Sequence, residues 1–85
     1  MSYSEFWIIG FHANKNVMIF EERISLSVED LKPVMRWMHN DDHIGLEFRL
    51  SVGQMLEIER LTSSVFPQDL DLYLTSYHYF DGPVI

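Results

Sequence analysis

Apolar side chains gather early in the chain into two short runs, Phe6-Trp7-Ile8-Ile9-Gly10-Phe11 and Val17-Met18-Ile19-Phe20. The polar connector His12-Ala13-Asn14-Lys15-Asn16 separates them. Two β-prone runs so close together predict an antiparallel hairpin over residues 5–23. The first run is apolar at both parities: Phe6 and Ile8 on one, Trp7, Ile9 and Phe11 on the other. A pleated strand sends alternate side chains to opposite faces, so this strand has apolar groups on both. One face meets the core; the other is covered as well or offered to a partner.

Beyond the hairpin the period changes. Ser27 can cap a helix, with Asp30 three residues on and Leu26 and Leu31 at the staple positions. Leu31, Val34, Met35 and Met38 then form a helical stripe, with Trp37 at its edge. Pro33 implies either an irregular first turn or a helix that starts at Pro33 itself. Asn40-Asp41-Asp42 is turn chemistry, so the helix stops by His39. Ile44, Leu46, Phe48 and Leu50 alternate with Gly45, Glu47 and Arg49, which predicts a strand over 44–50. Ser51 and Gln54 make a second capping box, with Leu50 and Met55 as its staple. That helix carries Met55, Leu56, Ile58, Leu61 and Thr62, and Val65-Phe66-Pro67 ends it. Leu70 to Phe80 reads as the last strand, and Asp81-Gly82-Pro83 closes it with turn residues.

The order β-β-α-β-α-β predicts one α+β domain over residues 1–85, a four-stranded antiparallel sheet with two helices on one face. The uncovered face then carries Glu47, Arg49, Tyr73, Tyr77, Tyr79 and one parity of the first hairpin. Trp7, Phe11 and Met18 are the hairpin's candidate contact residues. An aromatic, acidic and uncovered sheet surface fits a protein-binding site. The plainer account is a homodimer interface, or cross-strand aromatic pairing that only stabilises the sheet.

Charge sharpens this picture. The 85 residues hold thirteen Asp and Glu against six Lys and Arg, for a formal net charge of −7, and no cation follows Arg60. Such a field repels nucleic acid and anionic membranes and speeds encounter with a basic partner. There is no cysteine, no apolar run of membrane-spanning length and no signal-peptide pattern, so a soluble cytoplasmic protein is expected.

Candidate chemistry is sparse. His39-Asn40-Asp41-Asp42-His43 places two imidazoles and two carboxylates within five residues, but no second cluster completes a metal shell, and a solvated turn is expected. The serines lack a nucleophile-elbow context, and Glu57 and Glu59 point in different directions on their helix. The four glycines are scattered and build no phosphate loop. No enzyme activity, metal or cofactor is expected.

The run Tyr73-Leu74-Thr75-Ser76-Tyr77-His78-Tyr79-Phe80-Asp81-Gly82 resembles the closing strand of the cloacin-type immunity proteins, with tyrosine, serine, aromatic residues and Asp-Gly at matching spacing. The hairpin is similar too, with an apolar strand ending in Phe11 and a second closing on Glu21-Glu22. The resemblance is good at both ends of the chain and weak in the middle. It implies a sheet face that meets the cytotoxic nuclease domain of a bacteriocin, commonly one cleaving ribosomal RNA, and holds it inactive in the producing cell. By position it implies that Phe11 and the exposed third-strand residue, Glu47, lie in that contact, and it matches Glu21 and Glu22 to an acidic pair at the end of the second strand; Asp81 is a further candidate contact residue. The chain departs from the pattern at Asn14-Lys15-Asn16, where the family has acids, and at the Pro83-Val84-Ile85 end. A transfer-RNA nuclease or a contact-delivered toxin fits the same binding role.

Overall fold

In a computed structural model the described residues are 2–13 and 16–80. Strand β1 (Ser2–Phe11) and strand β2 (Met18–Ile24) form the hairpin. Helix α1 (Val28–Met35), strand β3 (Phe48–Arg49), helix α2 (Val52–Thr62) and strand β4 (Asp71–Phe80) come after it. The sheet runs β2-β1-β4-β3 with every neighbouring pair antiparallel. The α+β class, the element order and the four-stranded antiparallel sheet are those read from the sequence.

Strand β1 pairs with β4 along its whole length, from Ser2 opposite Phe80 to Phe11 opposite Asp71. The first and last strands of the chain therefore form the middle of the sheet. Phe6, Ile8, Leu72 and Leu74 turn to one side and pack with Ile24, Leu31, Trp37, Met55, Ile58 and Phe66. Both helices lie on that side, where their apolar stripes meet the sheet. Burial of apolar area on this one face is the main stabilising contribution.

Local chemistry sets the helix ends. Ser27 Oγ accepts the Asp30 N–H while the Asp30 carboxylate accepts the Ser27 N–H; Ser51 and Gln54 repeat the exchange on α2. The Ser27 N–H, and after it the Ser27 hydroxyl, hold the Asp30 pKa below the usual carboxylate value. Pro33 sits inside α1, so the helix starts before it, at Val28. Arg36 takes a left-handed φ of 59° and ends the helix after Met35. That stop breaks the helical phase: Trp37 swings into the core, and Met38 is 81% exposed instead of completing the stripe. On α2, Ser63 ends the helix in the same left-handed way, and the Glu59 carboxylate accepts the Phe66 N–H at 2.7 Å as Phe66 enters the core.

The expected strand over 44–50 shrinks to Phe48–Arg49. Turns occupy the residues before it. Asp42 Oδ2 accepts the N–H groups of Met38 and His39, Ile44 N–H donates to the Asp41 carbonyl, and Leu46 N–H donates to that of His43. Gly45 completes the path with φ +76°. Backbone donors committed to turns are withdrawn from a ladder, so Ile44 and Leu46 remain exposed despite their alternation.

Gly10 sits where the β1–β2 register shifts, and it is buried on the core side. A Cβ there would lie 2.9 Å from Leu70 Cδ1 and 3.1 Å from both Leu72 Cδ2 and Phe20 Cβ. Leu70 can rotate away, but Phe20 Cβ is fixed by its backbone. Gly10→Ala is expected to cost about 1–3 kcal/mol of stability, as overpacking does. A urea midpoint equal to that of the parent would contradict this packing.

Candidate functional site

Odd-numbered residues of β1 and β4 turn away from the helices. Register places Tyr3 opposite Tyr79, Glu5 opposite Tyr77, Trp7 opposite Thr75, Ile9 opposite Tyr73 and Phe11 opposite Asp71. On the flanks, Arg23 and Glu21 of β2 lie opposite Trp7 and Ile9, and Arg49 of β3 lies opposite Tyr73. No helix among the described residues covers this side: Tyr3 is 51%, Tyr77 47% and Tyr79 40% exposed. Ile9, in the middle and flanked by Trp7, Phe11 and Tyr73, is 4% exposed.

Aromatic rings run the length of the face. Tyr3 stacks on Tyr79 with centroids 5.2 Å apart, Trp7 meets Tyr77 edge to face at 6.2 Å, and Phe11 meets Tyr73 likewise at 5.7 Å. Such cross-strand ring pairs add to the stability of the sheet beyond the area they bury. The Trp7 indole N–H is buried within it and has no acceptor among the described residues.

Ion pairs border the rings. Arg23 Nη2 lies 3.2 Å from Glu5 Oε1, and Arg49 Nη2 lies 3.1 Å from Asp71 Oδ1. Both cations of the face are thus matched by carboxylates of the face, while Glu21 stands exposed with no ion pair among the described residues. The Tyr79 hydroxyl is held above its ordinary pKa, first by shelter from solvent, then by the Glu5 charge and the neighbouring Tyr3 and Tyr77.

Of the residues expected to take part in binding, Trp7, Phe11, Glu21, Arg49, Tyr73, Tyr77 and Tyr79 share this face. Met18 lies at the rim, brought opposite Phe11 by the register shift. Glu47 is exposed just ahead of β3 and belongs to no ladder. Glu22 differs: it pairs with Ile8, so it turns to the helix side, next to the C-terminal end of α2, where it lines a cavity with Leu61 and Thr62. Adjacent residues of a strand cannot share a face, so Glu21 and Glu22 do not act as a pair. Asn14, Lys15, and Asp81 with the rest of its turn lie outside the described residues.

Tyr3, Glu5, Arg23 and Asp71 were not among the expected contact residues, yet the register puts them on the same surface. The signal was the parity of the leucines: Leu72 and Leu74 had to face the core, and pairing β4 against β1 then carries every odd residue outward.

A second cluster lies on the helix side of the sheet. His43 is buried against Phe6 and Trp37, where a solvated turn was expected. Ser4 Oγ lies 2.8 Å from His43 Nε2 and 2.9 Å from His78 Nδ1. A hydroxyl has one proton, so Ser4 donates to at most one of the two rings and accepts from the other. The Ser76 hydroxyl donates to the His43 carbonyl at 3.4 Å and helps tie the 38–45 turns to β4. Among the described residues, no group of three or more His, Asp or Glu is placed to hold a metal ion.

Burial pushes the His43 pKa below the usual imidazole value, and the charge of His78 adds to this; Asp41, the Asn40 backbone and Asp42 oppose it. A depressed histidine means that the unfolded chain binds more protons between the folded pKa and the unfolded value near 6.5. The stability His43 contributes is full above that window and is lost as the pH falls through it. Urea midpoints should drop as the pH falls below the unfolded value of about 6.5, and His43→Gln should flatten the slope there. An unchanged slope in the variant would contradict the assignment.

No helix among the described residues is long and apolar enough to cross a membrane. The chain matches no family model, no curated protein and no solved structure at a significant level.

Proposed function

We propose that this protein is an immunity protein that neutralises a cationic nuclease toxin by docking its open sheet face on the toxin. The observation that carries the reading is a helix-free sheet face with three aromatic pairs in a chain of net charge −7. Enzymes that cleave RNA bind phosphates and are basic, so an acidic inhibitor is steered to the same surface the substrate uses. Rigid aromatic side chains then anchor the complex once the interface is dry. The likeness of 73–82 to the closing strand of the cloacin-type immunity proteins supports the same reading.

The test is neutralisation. The reading predicts that a basic nuclease domain is encoded beside this chain, and that this domain arrests growth when expressed alone and loses that effect when this chain is co-expressed. In vitro, salt should slow association about tenfold or more and leave dissociation nearly unchanged, because steering acts before contact. An association rate indifferent to salt would remove the electrostatic argument. A stable homodimer at low concentration in gel filtration, with Tyr77 buried in it, would assign the face to a second copy instead.

A further inference from the structure

Glu5 occupies an unusual position on the open face. Tyr3 and Trp7 flank it along β1, Tyr77 stands opposite on β4, and Tyr79 is diagonal to it. Those neighbours leave the Glu5 side chain 21% exposed, yet its one ion-pair partner among the described residues, Arg23, is 58% exposed and reaches over from the edge strand. The pair joins one carboxylate oxygen to one guanidinium nitrogen at 3.2 Å. A largely sheltered anion is therefore matched by a cation that remains mostly in water.

We propose that Glu5 and the four rings around it form a socket for an arginine side chain of the partner, and that Arg23 fills the socket until the partner arrives. The proposal rests on the face being a docking surface for a cationic protein and specifies the chemistry that surface takes. Guanidinium is planar, weakly hydrated and able to lie against aromatic rings while donating two hydrogen bonds to a carboxylate. A lysine offers a strongly hydrated point charge and gains less from the rings. The resident pair is open to water on its arginine side and joined through a single nitrogen and a single oxygen, so it holds weakly and an incoming guanidinium displaces Arg23 at small cost. Arg23 prevents the carboxylate from being stranded among rings in the free protein, where an unpaired anion is unfavourable.

The probe is N-acetyl-arginine amide, titrated into the whole chain and followed by the NMR signals of the Tyr3, Tyr77 and Tyr79 rings. Its neutral isostere, N-acetyl-citrulline amide, is the control. The wild type should bind the arginine probe weakly and at these rings. Arg23→Ala and Arg23→Gln should each bind it about two- to fivefold tighter, the range set by the strength of an exposed pair. Glu5→Gln in the Arg23→Ala background should lose the preference for arginine over citrulline. The socket is overturned if the Arg23 variants bind no tighter than the wild type, if citrulline binds equally well, or if the shifts map elsewhere. These titrations need no nuclease, so a failed neutralisation test leaves them standing. Conversely, a nuclease bound normally by Glu5→Gln overturns the socket without touching the proposed function.

Discussion

Phe6→Ala is expected to destabilise the fold severely. Phe6 is 1% exposed at the centre of the helix-side face, with its ring 6.0 Å from that of Trp37 and 5.1 Å from that of His43. Truncating such a ring costs about 3–5 kcal/mol, because apolar transfer is lost and a cavity opens. A domain of 85 residues has about 4–13 kcal/mol to lose. The loss is therefore between a quarter and all of the total. No disulfide compensates, since the chain has no cysteine. In urea the midpoint should fall steeply while the slope stays constant; a loss below about 1 kcal/mol would mean that Phe6 is not at the centre of the core.

Tyr77→Ala is expected to do the reverse, sparing the fold and weakening the proposed complex with a nuclease domain by about 2 kcal/mol or more, roughly thirtyfold. Tyr77 is 47% exposed and its main ring contact is the edge-to-face pair with Trp7. Losing one such pair costs the free protein about 0.5–1.5 kcal/mol. In a complex the same ring would be fully buried against the partner, so the two costs separate. Met38→Ala provides the control: Met38 is more exposed still, at 81%, but lies after α1 and not on the sheet face. Equal affinity for Tyr77→Ala and the parent, measured by titration calorimetry, would remove the face from the binding site. Glu47→Lys, beyond the sheet ladder, should act mainly by slowing association.

Local signals carried much of the architecture. Ser27 with Asp30 and Ser51 with Gln54 mark the two helix starts, because capping satisfies donors only a few residues away. The alternation from Leu72 to Tyr79 likewise marks one face of β4, because strand geometry alone sends neighbours to opposite sides. Local signals misled where one segment carried two of them, or where groups from distant elements closed on it. Ile44 and Leu46 alternate as a strand would, but Asp42 and Gly45 bend their backbone into turns. His43 has the neighbours of a solvated turn residue, yet Phe6, Trp37 and Ser4 close around it from other elements.

The chain by itself determined how many strands and helices there are, where the second helix begins, that one sheet face is apolar, and that the molecule is acidic. Each of those depends on residue type and spacing within a short span. Only the tertiary structure decided that β1 and β4 lie side by side at the centre of the sheet, and so which side of β1 looks outward. Register between strands at opposite ends of the sequence is set by the joint packing of Phe6, Ile8, Leu72 and Leu74 under the helices. That packing turns Tyr3, Glu5, Trp7 and Tyr77 to the opposite side, into contact with solvent and with one another.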